Sequence, residues 1–260
     1  MEIMEILESL NLGKLTVLQA KKMLSIYSVE KIENFAKLDV GRKLRRGIPE
    51  VIFAEKKQLT EMKKIILKSL DRSDSVLVSR INKNDYGKII SFSKKNKIKT
   101  RLGNDTTSIL FFKKLPQQSG GRVGILTAGT SDVGVAEEAR LMCEAMGCNC
   151  ISSYDVGIAG LHRVFPIMKK MIKEDVDAII VVAGMEGALA SIVSSLVDIP
   201  VIGVPSSVGY GFGEKGIAAL ASMLQSCTLG LSVVNIDNGI GAGAFASSIA
   251  NRTRKKRSIV

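Results

Sequence analysis

The chain of 260 residues is 46% hydrophobic and 24% charged, which is typical of a globular protein with one large core or two modest ones. No apolar stretch reaches the roughly 18 residues of a membrane-spanning helix, and the acidic start MEIMEILESL is unlike a signal peptide. We therefore expect a cytoplasmic protein with no membrane partner. Its four cysteines lack CxxC spacing, and we expect them to be free thiols.

Charge and glycine are unevenly distributed along the chain. Residues 1–120 carry 25 Lys and Arg against 13 Asp and Glu, whereas residues 121–260 carry 12 of each, and 18 of the 24 glycines follow residue 120. Two domains with different character are the natural interpretation. We predict a small basic α+β domain over residues 1–117, an α/β domain over residues 118–251, and a disordered basic tail over residues 252–260.

The N-terminal domain contains a cluster of three arginines, Arg42, Arg45 and Arg46, directly before a glycine turn. Such a cluster can pair with phosphates or stabilise a subunit interface, whereas the other basic residues fit a solvated surface. A basic domain is also compatible with nucleic acid. Nucleic acid is not the expected partner, however, because no helix-turn-helix, zinc-finger or RNA-binding motif is recognisable.

The C-terminal domain alternates regularly between apolar strands and helices. The five predicted strands are VGILTA, NCISSY, DAIIVVA, PVIGV and LSVVNI, and a helical segment follows each of them. Near-continuous apolar strands alternating with helices predict a parallel sheet covered on both faces. The expected fold is therefore a three-layer, flavodoxin-like α/β domain.

Polar, glycine-rich segments follow all five strands, and ligands of such sheets bind outside the carboxyl ends of the strands. The elbow Gly129–Asp132 also precedes a helix, whose free N–H groups and positive dipole end suit a phosphate. The candidate binding residues at these strand ends are Gly129, Thr130, Ser131, Asp155, Arg163, Gly184, Met185, Gly187, Asp237 and Asn238.

Four further residues are candidates for chemistry or for structure. His162 is the one histidine in the sequence and can shuttle a proton near neutral pH. Asp132 can cap a helix or contact a ligand, and Glu186 can handle a proton or simply favour a helix start. Cys227 follows a helix near the start of the fifth strand. That is the end of the sheet opposite the predicted site, so spacing alone indicates a structural thiol.

The motifs carry a resemblance to known families. GTSD, YDVGIAGLHR and AGMEGALAS resemble the core of the aminoimidazole ribonucleotide carboxylase family of PurE type. A closer resemblance, over nearly the whole chain, is to the LarB family of nickel-pincer cofactor biosynthesis. It adds the segments GVPSSVGYG, MLQSCTLGLSVVNIDNGIGAG and LDVGRKLRRGIPEVIF.

The resemblance implies an enzyme with a PurE-type fold that acts on nicotinic acid adenine dinucleotide. Such an enzyme carboxylates pyridinium C5 with CO2 and hydrolyses the phosphoanhydride, releasing AMP and pyridinium-3,5-biscarboxylic acid mononucleotide. It also implies a requirement for Mg²⁺, although the sequence gives no metal-ligand signature. A homo-octamer with sites shared between subunits is a further implication.

The resemblance assigns roles to the candidates. It makes Cys227 a covalent nucleophile, delivered by a neighbouring subunit, and His162, Asp132 and Glu186 the groups that move protons or activate water. Ser131 with the Gly129–Thr130 backbone would hold phosphate, and Asp237 and Asn238 would contact ribose or magnesium. The pyrophosphate or ring carboxylates would be neutralised by four arginines, Arg163, Arg42, Arg45 and Arg46.

Two alternatives stay open at this point. A carboxylase or mutase acting on aminoimidazole ribonucleotide would need neither an essential cysteine nor a dinucleotide. A non-catalytic nucleotide- or RNA-binding protein would show salt-dependent binding that Cys227→Ser leaves intact.

Overall fold

The computed structural model describes residues 3–25, 29–32, 36–39 and 41–257. The chain divides into two compact units, and it crosses between them more than once. The first unit comprises Met1–Thr100 with Leu110–Leu115, and the second comprises Arg101–Ile109 with Pro116–Val260. The boundary predicted after residue 117 lies two residues from the final crossing, but the assignment of 101–109 to the second unit was not predicted.

The N-terminal part of the chain combines short helices with two small sheets. Its helices are α1 (Ile3–Asn11), α2 (Val17–Leu24), α3 (Arg42–Arg46), α4 (Leu59–Arg72) and α5 (Lys83–Lys95). Its strands are β1 (Val29–Ile32), β2 (Ala36–Asp39), β3 (Val51–Phe53), β4 (Ser75–Ser79), β5 (Lys99–Leu102) and β6 (Ile109–Phe112). Strands β1 and β2 form an antiparallel pair, and the other four form a sheet of order β3-β4-β6-β5.

Helix α4 shows why these segments fold as they do. Its buried residues recur every three or four positions, so they form one apolar stripe along the helix. A capping box at its start, in which the Glu61 side chain accepts from the Gln58 backbone N–H, satisfies an otherwise free donor.

The second unit is a five-stranded parallel sheet with helices on both faces, which confirms the predicted three-layer α/β fold. Its strands are β7 (Arg122–Thr127), β8 (Asn149–Ser153), β9 (Ala178–Ala183), β10 (Val201–Pro205) and β11 (Leu231–Val233). Its helices are α6 (Val133–Ala145), α7 (Val164–Lys173), α8 (Ala188–Leu196), α9 (Ile217–Leu224) and α10 (Gly239–Arg257). The strand order is β11-β10-β9-β7-β8 with every pair parallel, which is the flavodoxin-like arrangement.

Two apolar cores cover the two faces of this sheet. Residues of α6 and α10 pack on one face, and residues of α7, α8 and α9 pack on the other. All six residues of β9 are buried, as expected for a central strand covered on both sides. This burial of the strand interior leaves the strand ends as the place where polar groups can collect.

Small residues bring α6 and α10 close together. Ala139 of α6 faces Ala242, Ala246 and Ala250 in one buried cluster. A Cβ added at Gly243 would lie 2.6 Å from the Ala139 carbonyl oxygen, so the two backbones leave no room for a side chain there. Close contact of this kind maximises dispersion across the interface.

Helix α10 continues further than the sequence suggested. Residues 252–257 were expected to belong to a disordered tail, but they are helical through Arg257; residues 258–260 lie outside the described part of the chain. Arg254 explains the extension, because its guanidinium donates to the buried Asp177 carboxylate at 3.1 Å and pairs with Asp175. None of the helices in the described ranges has the length and apolar character needed to cross a membrane.

A buried polar cluster fixes the loop 103–108 on α6. The Glu137 carboxylate accepts from the Asn104 backbone N–H at 2.9 Å, from the Arg140 guanidinium at 2.7 Å and from the Tyr154 hydroxyl. Burial alone would raise the pKa of Glu137, but the hydrogen bonds outweigh it and lower that pKa. Burial and the bond to Glu137 raise the pKa of Tyr154 to about 12, so the cluster is a charged Glu–Arg pair with a neutral tyrosine.

Candidate active site

A cleft opens at the carboxyl ends of β7 and β9, where the strand order reverses. This is the position at which doubly wound sheets bind their ligands. The cleft has a volume of about 400 Å³, which suits a small molecule. Its lining includes Gly129, Thr130, Ser131, Asp132, Asp155, Gly157, Arg163, Gly184, Met185, Glu186, Ala188, Leu189 and Val208.

Asp132 ties three strand-end loops together at the base of this cleft. Its carboxylate accepts from the Gly129 N–H at 2.8 Å, from the Ser206 hydroxyl at 2.7 Å and from the Gly184 N–H. These donors belong to the loops after β7, β10 and β9. The Ser206 oxygen in turn accepts from the Val208 N–H at 3.1 Å. Asp132 therefore fixes the shape of the Gly129–Asp132 elbow, in addition to its place at the start of α6.

The protonation of Asp132 reflects this buried position. Burial raises the pKa of its carboxyl group, and the nearby Asp237 carboxylate adds to the effect. The hydrogen bonds from Ser206, Gly129 and Gly184 oppose the rise without cancelling it. A carboxyl group with a raised pKa is suited to exchange a proton closer to neutral pH than an ordinary aspartic acid.

Three of the rim loops hold a non-glycine residue in the left-handed region. Asp155, Met185 and Asp237 have φ values of 59°, 51° and 54°. Such conformations cost free energy and collect at functional sites. Each is fixed by neighbours. The Asp155 N–H donates to the Thr127 hydroxyl at 3.0 Å and the Met185 N–H to the Val208 carbonyl at 3.1 Å, and the Asp237 carboxylate accepts from the Ser207 N–H at 2.8 Å.

Two glycines permit close backbone contacts along the cleft. A Cβ at Gly184 would lie 2.1 Å from the Val208 carbonyl oxygen, and one at Gly157 would lie 2.6 Å from the Ala128 carbonyl oxygen. Neither position accommodates a larger residue without moving the backbone. The glycines of the AGMEG and YDVG motifs therefore allow the backbone segments that line the cleft to pack closely.

The charged groups at the cleft mouth are accessible. Arg163 donates to the Asp155 carboxylate at 2.9 Å, and both side chains are partly exposed. Glu186 is exposed and lines the cleft directly before α8. His162 is exposed in the 3-10 turn Ile158–Arg163 beside the cleft, but it is not among the lining residues. Of the lining groups, the Arg163 guanidinium is suited to meet an anionic ligand from solvent.

Three other predicted binding residues lie outside the lining. Gly187 adopts a left-handed conformation at the start of α8. Asp237 ties the loop after β11 to Ser207. The Asn238 side chain accepts from the Gly241 N–H at 2.9 Å, so it caps the first turn of α10.

Cys227 lies between α9 and β11, at the amino ends of the strands, as the spacing suggested. All four cysteines fall in the described part of the chain. Cys227 is exposed, whereas Cys143 and Cys148 are buried and Cys150 is half-buried. Burial raises the pKa of Cys148 to about 11, which makes that thiol unreactive near neutral pH.

The three N-terminal arginines lie in the first unit on the short helix α3. Arg45 pairs with Asp39 and donates to the Ser25 carbonyl at 3.0 Å. Arg42 lies 3.9 Å from the Glu50 carboxylate, whose pKa is raised by burial. Arg46 is exposed. Two of the three arginines thus already have acidic partners inside their own unit.

The described residues do not form a ready-made metal site. Among them, no group of three or more His, Cys, Asp or Glu side chains is arranged to hold a metal ion. Two carboxylates of the cleft already have other partners: Asp132 is hydrogen-bonded on both oxygens, and Asp155 pairs with Arg163.

Comparison with known proteins identifies the family. An AIR carboxylase model matches residues 122–258, and a model described as the LarB/PurE-like N-terminal domain matches residues 29–102. The chain belongs to the LarB family. An uncharacterized protein of Methanocaldococcus jannaschii is 45% identical over 94% of each chain. The N5-carboxyaminoimidazole ribonucleotide mutases of Thermotoga maritima and Pyrococcus horikoshii are 30% and 31% identical over 49% of this chain, covering 74% and 71% of theirs.

These matches give the LarB-family chain a carboxylase-type function of the PurE kind. The mutases cover about half of this chain, whereas the first relative extends over nearly all of it. The cleft, which is formed by the second unit, lies within the segment matched by the AIR carboxylase model.

Two residues of the site, Ser206 and Val208, are not predicted by the sequence. They lie in a polar loop, but nothing in the sequence shows that Ser206 bonds to Asp132 across 74 residues. The available signal was the pair of adjacent serines directly after the strand PVIGV.

Proposed function

We propose that this protein carboxylates the pyridinium ring of nicotinic acid adenine dinucleotide at C5 and hydrolyses its phosphoanhydride. The products are AMP and pyridinium-3,5-biscarboxylic acid mononucleotide, a precursor of the nickel-pincer cofactor. The observation that carries the proposal is the exposed thiol of Cys227 in a chain that matches both the LarB/PurE-like N-terminal domain model and the AIR carboxylase model. A carboxylase or mutase acting on aminoimidazole ribonucleotide has no use for such a thiol.

A thiol is needed because the pyridinium ring is electron-poor and C5 does not attack CO2. Addition of the Cys227 thiolate to C4 forms a carbon–sulfur bond and converts C5–C6 into an enamine. C5 then attacks CO2. A base removes the C5 proton, and expulsion of the thiolate restores the aromatic ring. The net change replaces the C5 hydrogen by a carboxylate and releases one proton, with no oxidant or reductant.

The cleft residues supply the remaining roles in this proposal. The Thr130–Ser131 segment at the start of α6 holds a phosphate through backbone N–H groups and the helix dipole. Arg163 neutralises a carboxylate or phosphate at the cleft mouth. Asp132, Glu186 and His162 are the candidates for removing the C5 proton and activating water. Burial raises the pKa of Asp132, which supports its candidacy.

Cys227 and the cleft lie at opposite ends of the same sheet. We therefore propose that the thiol serves the cleft of a neighbouring subunit in a homo-oligomer, with an octamer as the expected size. Co-expression of Cys227→Ser with whichever of Asp132→Asn, His162→Gln and Glu186→Gln is inactive by itself tests this, because each of the two variants would then lack one half of the site. Recovery of activity in mixed oligomers supports delivery between subunits, and activity no higher than either parent's contradicts it.

In this proposal Mg²⁺ binds to the substrate and not to a site formed by protein side chains. The described residues offer no cluster of protein ligands, and Mg²⁺ commonly binds phosphates while keeping several waters. We propose that it accompanies the pyrophosphate, and no step above depends on it. The basic cluster Arg42, Arg45 and Arg46 is a second candidate contact for the phosphates.

One experiment separates the candidate functions. Purified protein is incubated with nicotinic acid adenine dinucleotide, isotopically labelled bicarbonate and Mg²⁺, and the products are identified by mass spectrometry. We expect AMP together with a mononucleotide that carries one labelled carboxylate. A parallel incubation with N5-carboxyaminoimidazole ribonucleotide should leave that compound unchanged. If neither AMP nor the labelled mononucleotide appears, the proposed function is wrong.

Two variants test the covalent mechanism. Cys227→Ser should abolish formation of the labelled product, whereas Cys150→Ser, at a half-buried thiol, should retain most of it. Full turnover by Cys227→Ser would reject the thiol adduct and leave the reaction class standing.

A further inference from the structure

Four hydroxyl groups form a connected chain around Cys227. Ser191 donates to the Ser226 oxygen at 2.8 Å, and Ser194 donates to the Thr228 oxygen at 2.6 Å. The hydroxyls of Ser226 and Thr228 bond to each other at 2.7 Å. The residues directly before and after Cys227 are thus both fixed to the same helix.

The geometry of α8 makes this arrangement possible. Ser191 and Ser194 are three positions apart, so they lie on one face of the helix. Ser194 is buried, and Ser226 and Thr228 are half-buried. Hydroxyl groups in such a setting need partners, because a buried polar group without a hydrogen bond costs free energy. The four residues satisfy one another and so hold the loop in a defined place.

Burial alternates along the three loop residues, and this determines how the thiol is presented. Ser226 and Thr228 turn toward α8, whereas Cys227 between them is exposed. The Thr228 N–H also donates to the Ser226 oxygen at 3.3 Å, which closes a tight turn of backbone around the cysteine. The loop therefore holds its flanking residues inward and directs the thiol outward.

The same helix also forms part of the cleft. Ala188 and Leu189, in the first turn of α8, line the cleft, and Glu186 precedes them. One rigid helix thus fixes a wall of the cleft at its first turn and the Cys227 loop at its later turns. Rigid helices position groups more accurately than free loops do.

We propose that Ser191, Ser194, Ser226 and Thr228 are positioning residues that fix the thiol of Cys227 for nucleophilic attack. This inference rests on the proposed function for its kinetic consequences. Its consequence for thiol reactivity is independent of any substrate. Misplacement of a reacting group by about 1 Å can lower the rate about 100-fold. A small displacement of the Cys227 loop should therefore produce a measurable loss of kcat.

The test compares Thr228→Val, which removes the hydroxyl at nearly constant shape, with Thr228→Ser, which keeps it. Ser195→Ala is the matched control, because the exposed Ser195 hydroxyl bonds only the carbonyl of Ile192 within its own helix, at 2.7 Å. We expect Thr228→Val to lower kcat at least about tenfold with the KM for nicotinic acid adenine dinucleotide unchanged. Thr228→Ser and Ser195→Ala should retain kcat.

A loss of kcat without a change in KM indicates misplacement of a reacting group and not weaker binding. The proposal is wrong if Thr228→Val retains kcat. It is also wrong if Thr228→Val and Thr228→Ser both show a lower kcat, a higher KM and a lower melting temperature, since that pattern indicates a structural defect.

Alkylation of Cys227 by iodoacetamide, followed by mass spectrometry, provides a readout that needs no turnover. We expect the rate at Cys227 to rise about threefold or more in Thr228→Val, the scale of one lost hydrogen bond. Thr228→Ser and Ser195→Ala should match the wild type. Equal rates in all four proteins would overturn the positioning role. If the wild type forms no AMP while the alkylation rates separate as expected, the proposed function fails and the positioning of the thiol stands.

Discussion

The Ser206 hydroxyl donates a 2.7 Å hydrogen bond to the Asp132 carboxylate, and the two residues are 0% and 3% exposed. This bond joins the loop after β10 to the loop after β7, at the base of the cleft. The same carboxylate accepts from the Gly129 N–H. The shape of the Gly129–Asp132 elbow thus depends on a hydroxyl group 74 residues away in the sequence.

Ser206→Ala should therefore destabilise the fold by about 1–3 kcal/mol, the cost of leaving a buried acceptor with one donor fewer. The free energy of unfolding can be measured by urea denaturation. Ser207→Ala is the control, because Ser207 is exposed and its backbone N–H keeps the bond to Asp237. Equal stability of the two variants would show that the Ser206–Asp132 bond contributes nothing.

Asp132→Asn should change how stability depends on pH. Burial raises the pKa of Asp132 above its unfolded value of 3.8. The stability that protonated Asp132 contributes to the folded protein is therefore fully present below pH 3.8 and is lost as pH rises through the folded pKa. The amide side chain of the variant does not titrate. The free energy of unfolding of the variant minus that of the wild type should therefore increase from pH 4 to pH 7. A constant or falling difference contradicts the raised pKa.

Gly184→Ala should damage the cleft, because the new Cβ would lie 2.1 Å from the Val208 carbonyl oxygen. The backbone must move, and we expect a loss of about 1–3 kcal/mol in stability together with loss of activity. Gly87→Ala is the control, because nothing lies within 4 Å of a Cβ at that exposed helical position. It should stabilise α5 by about 0.5–1 kcal/mol. Wild-type stability and activity in Gly184→Ala would contradict the close contact.

Arg163→Ala should affect binding more than stability. Its ion pair with Asp155 joins side chains that are 38% and 51% exposed, and such pairs contribute at most about 1 kcal/mol. Loss of a charged hydrogen bond to the substrate should raise the KM for nicotinic acid adenine dinucleotide about 10- to 100-fold. Arg163→Lys should restore part of this, since it keeps the charge without the planar fork. An unchanged KM in steady-state assays would place Arg163 outside the binding site.

The fold of the second unit was predictable because its signals are local. The strands β7, β9 and β10 are apolar runs, and a helix follows each strand within a few residues, so the order of elements leads directly to a parallel sheet. The strand order in space, with β7 and β9 adjacent, comes from packing. The cleft between their ends was located by general rules for such sheets.

The partners of the site residues were not predictable to the same extent. The bond between Asp132 and Ser206 and the chain of hydroxyls from Ser191 to Thr228 join residues that are far apart in sequence. Ser, Thr and Asp occur at such positions for many reasons, and one sequence cannot distinguish them. The helical extension through Arg257 was missed for a similar reason, because Arg254 finds Asp177 only in the folded chain.

The assignment of Arg101–Ile109 to the second unit has a consequence for any attempt to divide this protein. The chain enters the second unit at Arg101, returns to the first for Leu110–Leu115, and leaves it again at Pro116. No single cut separates the two units. A fragment that begins at residue 116 would retain the five strands and lack Asn104, whose backbone N–H serves the buried Glu137 carboxylate. Genetic dissection of the two halves would need a rearranged chain that carries the 101–109 segment along with the sheet.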